Sequence, residues 1–109
     1  MNIFASERIE PSAIKFPRGF DKLEWTVAKT YADFCKLAET NNVNNVVIDS
    51  AAKGENIALR CAIALTEITC DKHTKLPTLM VVGNDSKVKK QIEDHLARSK
   101  RWIDINRGK

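Results

Sequence analysis

Two short runs constrain this chain more than anything else in it: VVID at residues 46–49 and TLMVV at residues 78–82. Both are apolar without alternation, the pattern of a strand covered on both faces. Each leads through small or turn-forming residues into a helical apolar period, ENIALRCAIALTEIT from residue 55 and KVKKQIEDHLARSK from residue 87. Doubly covered strands that alternate with helices imply a mostly parallel sheet sandwiched between other layers.

The remaining segments fit that plan. NIFAS at 2–6 reads as a first strand. In RIEPSAIKFPRGFDK at 8–22, Pro11, Pro17 and Gly19 forbid a continuous helix, while Ile14, Phe16 and Phe20 imply that the segment lies down on apolar surface. LEWTVAKT at 23–30 alternates, with Leu23, Trp25 and Val27 as the inward set of a second strand. Thr30 and Asp33 resemble a capping box ahead of a helix carrying Tyr31, Phe34, Cys35 and Ala38, which the Asn-rich turn NNVNN ends. The middle helix carries Ile57, Cys61, Leu65 and Ile68 on one stripe with Leu59 and Ile63 off it, the mark of the most buried helix. The last has only the narrow stripe Val88, Ile92, Leu96, that of a surface helix, with Asp85 or Ser86 as its cap. WIDI at 102–105 alternates like a short closing strand. The expectation is a single α/β domain over residues 1–109, three-layer α/β/α with a mostly parallel sheet of four to five strands and a loop in place of the first helix.

Composition narrows the setting. A chain of 109 residues suffices for one self-contained core. It has no apolar run near the roughly 20 residues that span a bilayer and no signal-peptide pattern, so a cytosolic protein is expected. Cys35, Cys61 and Cys70 are odd in number and fall in helical segments, which predicts reduced thiols. The net charge of +4 is concentrated: from Lys87 onward eight Lys or Arg face three acids, making 87–109 a basic C-terminal segment.

In such a sheet the functional corner lies beyond the carboxyl ends of the strands. Ser6 and Glu7, Asp49 and Ser50, and Gly83, Asn84 and Asp85 occupy those ends. If Glu7, Asp49 and Asp85 converge, they could hold a hard cation such as Mg²⁺, or Asp49 could accept a phosphoryl group. Crowding among three acids would make Asp49→Asn neutral or stabilising. The alternative is that Asp49 bonds its own turn, Glu7 is solvated and Asp85 caps a helix. Cys70 and His73 are spaced like half a zinc site with no second half, and His73 and His95 read as surface or packing residues. Neither a P-loop nor a dinucleotide glycine signature is present.

Quoted motifs carry a resemblance beyond this pattern. ASERIEP at 5–11 stands where a compact group of receiver-like domains has Leu-Asp-Asp-x-Arg-x-Pro. EWTVAKTY matches its Trp, small residue and Tyr; DSAAKG at 49–54 stands for Asp-His-Asp-Leu-Gly, and VVGNDS at 81–86 for His-Ser-x-Asn-Pro. Over roughly residues 2–97 the chain thus resembles the flavodoxin-like receiver class, and within it the phage and bacterial cyclic-phosphate-processing receiver-like family. Asp49, Gly54, Pro11, Trp25, Tyr31 and Asn84 follow that pattern. Ser6 and Glu7 replace its paired acids, Ile9 its arginine, Ser50 the histidine that follows Asp49, Ala51 its second aspartate, and Val82 or Gly83 its fourth-strand histidine.

Acid-base chemistry on a cyclic phosphate needs a proton carrier near neutral pH, usually histidine, and this corner has none. The resemblance therefore implies a degenerate, non-catalytic receiver-like module with Asp49 as a relic, needing no cofactor or metal, and acting as a phage-type accessory or host-modulating protein. Receiver scaffolds commonly dock partners through the last helix, so Lys87, Lys90, Arg98, Arg101 and Trp102 form the expected surface for an acidic protein. Two alternatives stay open. The same basic end could neutralise nucleic-acid phosphates while Trp102 stacks on a base, or Trp102 could simply pack on the core. Asp49 could also be a working phosphoacceptor or cyclic-phosphate site with Glu7 holding a metal.

Overall fold

The computed structural model describes residues 1–107 apart from 8, 9, 17, 21, 51–56, 73 and 84; side chains are described as far as Ser99, that of Ile57 excepted. In chain order the elements are β1 (Asn2–Ala5), one turn of 3-10 helix at Pro11–Ala13, β2 (Thr26–Ala28), α1 (Tyr31–Thr40), β3 (Asn45–Asp49), α2 (Ile57–Asp71), β4 (Thr78–Val82) and α3 (Ser86–Arg107). The four strands form one sheet in the order β2-β1-β3-β4, every pair parallel. The architecture is α/β and compatible with a three-layer flavodoxin-like fold, as expected from the sequence.

Strand order dictates which face each connection covers. The chain steps one way from β1 to β2, then the other way across β1 to β3 and on to β4. With right-handed crossovers, α1 and α2 must lie on one face and the β1–β2 connection on the opposite one. Alternation along the strands fills both faces. Ile3, Ala5, Val46 and Ile48 turn to the helices and join Phe34 of α1, Cys61 and Leu65 of α2 and Ile92 of α3 in one buried cluster. Phe4 and Val47, also fully buried, turn the other way. There the Phe4 ring meets Phe16 and Trp25 edge-on at 6.3 and 6.2 Å. Trp25 stacks in turn on Phe16 at 5.3 Å and on Phe20 at 6.4 Å. An aromatic strap thus replaces the missing first helix as the third layer, and the apolar spacing of 8–22 is accounted for.

Two expectations need correction. The second strand spans three residues, not eight, and its deepest side chain is Ala28; Trp25 and Leu23 precede it in the strap. The alternation of Leu23, Trp25 and Val27 records contact with the far face, while Ala28 serves the helix face. WIDI is not a strand: residues 102–105 continue the backbone of α3. Four alternating residues contain no chain break, and extending a formed helix fixes one residue per hydrogen bond, whereas a new edge strand needs a turn first. Among the described residues the sheet ends at β4. Among the described residues no helix is long and apolar enough to cross a membrane.

Candidate functional site

Parallel register brings the ends of β1 and β3 together, which fixes the chemistry of the rim. Ala5 pairs with Ile48, so the next residues, Ser6 and Asp49, face each other, and the Ser6 hydroxyl donates to Asp49 Oδ2 at 3.0 Å. Asp49 has no solvent exposure, and Ser6 and Ser50 are buried beside it. The Ser50 amide donates to the Val82 carbonyl at 2.7 Å, and the Asp85 amide donates to the Ser50 hydroxyl at 3.4 Å, tying the end of β4 to that of β3. The structure thus gathers the predicted strand ends at one rim.

It does not gather the three acids into one cage. Glu7 is exposed. Asp85 is exposed as well, and its Oδ1 accepts from the Val88 amide at 3.1 Å, so this carboxylate serves as the N-cap of α3. Asp85 thus spends one carboxylate oxygen on the start of its own helix. Among the described residues no three His, Cys, Asp or Glu side chains group as a metal ion would require. The gap beside Asp49, lined by Ser6, Glu7, Lys29, Thr30 and Cys61 among others, has a volume of about 10 Å³. That is room for about one water molecule and far below a nucleotide's need.

The thiol at this gap is held in its protonated form. Burial first, and then nearby Cys35, push Cys61 up to about 12, with Arg60 opposing both. At neutral pH it is a protonated packing residue. Arg60 itself lies over the Tyr31 ring at 4.4 Å, a cation-π contact that joins α2 to the start of α1. Gly54, a position of the resemblance, and Asn84 lie outside the described residues, as do Ile9, Ala51 and His73.

The basic segment is displayed by α3. Lys87, Lys89, Lys90 and Arg98 are exposed, and among the described side chains of the helix Ile92 is the buried one, with Val88 and Leu96 half-buried on either side. Lys87, Lys90 and Arg98 recur at helical spacing along one stripe, which Asp94 interrupts. Arg101 and Trp102 belong to the same helical backbone; their side chains lie outside those described.

A feature that sequence reasoning passed over is a groove of about 620 Å³ between α2 and α3, lined by Ile63, Thr66, Glu67, Cys70, Asp71, His95, Arg98 and Ser99. His95 was read only as a surface or packing residue. Its Nε2 lies 3.0 Å from Thr66 Oγ1 and 3.3 Å from Ser99 Oγ. Thr66 spends its own hydrogen on the Ile63 carbonyl at 2.7 Å, so in the contact with His95 it must accept, and Nε2 carries the proton. Burial, and then the Arg98 charge, lower the His95 pKa, with Glu67 acting in the opposite sense. The signal was available in outline: the spacing 63, 66/67, 70/71 marks a second stripe on α2, off its core stripe.

Comparison with known proteins finds no match for this chain among family models, curated proteins or solved structures.

Proposed function

We propose that this chain is a non-catalytic, receiver-like binding module that docks on an acidic protein through the outer face of α3. The observation that carries the reading is the contrast between rim and helix. The one fully buried rim acid is engaged by a serine hydroxyl above a gap of about 10 Å³, while α3 holds Lys87, Lys90 and Arg98 in water. A buried carboxyl group cannot be approached in line by a phosphoryl donor without prior opening of the rim. Exposed lysines on a regular helix can meet a complementary charged surface without rearrangement, and they steer association.

The test has two arms. In the first, the protein is incubated with Mg²⁺ and acetyl phosphate, or with a cyclic nucleotide, beside an Asp49→Asn variant; both are expected to be inert. Phosphorylation or turnover by the wild type alone would replace this reading with that of an enzyme or phosphoacceptor. In the second, the protein captures partners from native lysate at two salt concentrations, with and without nuclease, beside Lys87→Glu/Lys90→Glu. A nuclease-resistant protein partner lost on charge reversal is expected. Retention that disappears with nuclease, and falls steeply with salt, would assign the same face to nucleic acid.

A further inference from the structure

We propose that the groove between α2 and α3 is the contact face of a symmetric dimer of this chain, in which α2 of each copy lies over α3 of the other. The two helices run in the same direction and level with each other. Both start at the rim, and the Thr66–His95 contact joins the tenth residue of α2 to the tenth of α3. The α2 wall carries Glu67 and Asp71 together with Ile63, which at 36% is the one exposed large hydrophobic residue among those described, and the α3 wall carries Arg98.

A two-fold axis in the contact plane has two choices. Perpendicular to the helices, it sets α2 on α2 and acids against acids. Parallel to them, it sets each acidic wall on the partner's basic wall and preserves the level of every residue. In the parallel arrangement Arg98, at the thirteenth position of α3, falls midway between the partner's Glu67 and Asp71, at the eleventh and fifteenth positions of α2. The axial offset to each is about 3 Å, within the reach of a guanidinium fork. Charge therefore selects one orientation, and the four helices close round Ile63 and Cys70 of both copies.

The polar atoms on the groove floor are compatible with being covered. The Thr66 hydroxyl donates to the Ile63 carbonyl and accepts from His95 Nε2, so these groups keep their partners when water leaves the groove. The contact overlaps the docking stripe at Arg98 and leaves Lys87 and Lys90 outside it.

The test is the mass of the full chain in solution, by sedimentation equilibrium over a concentration series, with circular dichroism melts as the check on folding. The wild type is expected to pass from 12.3 kDa to twice that mass. Ile63→Glu and Arg98→Glu should each raise the dissociation constant more than about tenfold with an unchanged melt. Arg98→Glu combined with Glu67→Arg and Asp71→Arg should restore the dimer, whereas Lys87→Glu/Lys90→Glu should leave it intact and abolish only capture of an acidic partner. A wild type that stays monomeric throughout overturns the proposal. So does a dimer indifferent to Ile63→Glu, or one that the charge swap does not rescue. Because Arg98 is exposed, its variants keep the test decisive even if Ile63→Glu were to unfold.

Discussion

Asp49 shows how one side chain changes meaning with its surroundings. A carboxyl group at the end of a doubly covered strand is where a parallel sheet keeps its chemistry. Here it is sealed under the rim and accepts from Ser6. Ser6→Ala removes that donor from a buried acceptor and is expected to lower stability by about 1–2 kcal/mol in urea titration. An unchanged midpoint would mean that the pair contributes nothing to the fold. His95 supplies a second residue-scale prediction. Its folded-state pKa lies below the ordinary 6.5, so on acidification the unfolded chain takes up the proton first. Above 6.5 both states hold neutral imidazole and the effect vanishes. As pH falls through and below 6.5 the folded state loses stability, and melting temperatures at pH 7.5 and 5.5 should differ more for the wild type than for His95→Gln. Equal drops would assign the acid sensitivity to other groups.

At the scale of elements, the helix starts were legible because capping is local. Thr30 accepts from the Asp33 amide at 3.1 Å, and Asp85 from the Val88 amide at the same distance, as their spacing suggested. Thr30→Ala and Asp85→Ala should each cost about 1 kcal/mol, read as a lower denaturation midpoint at unchanged slope. A silent Asp85→Ala would mean that Asp85 is available to the rim after all. The end of α3 was not legible. Arg-Trp-Ile-Asp-Ile satisfies a strand's alternation as well as a helix's, and the residues do not state whether a neighbouring edge exists to pair with. The α2/α3 groove was hidden for a related reason: Ile63, Glu67 and Cys70 share a stripe on one helix, but the opposite wall comes from residues about 30 positions later.

At the scale of the whole molecule, the layer opposite the helices is a strap in place of a helix, and its stability rests on three stacked rings set edge-on to Phe4 of β1. Phe16→Ala should cost about 2–4 kcal/mol and raise binding of a hydrophobic dye, because Phe4 then loses part of its cover. The Trp25 indole N–H is buried without a hydrogen-bond partner. Trp25→Phe keeps a ring in the stack while removing an orphan donor whose burial costs about 1–3 kcal/mol, so it should be nearly neutral or stabilising. A large loss would show that the wider indole surface matters more than its unmet N–H. The sequence by itself determined the order of elements as far as the start of α3, the parallel sheet, the caps at Thr30 and Asp85 and the strap's contact with an apolar face. These follow from periodicity and from groups a few residues apart, whose energies depend on near neighbours. Only the tertiary structure decided that Asp49 is enclosed by Ser6, that Asp85 serves α3 and not the rim, and that Glu67, Asp71 and Arg98 border one groove. Strand register and helix level set those meetings, and both arise from packing between segments that carry no mark of each other in the chain.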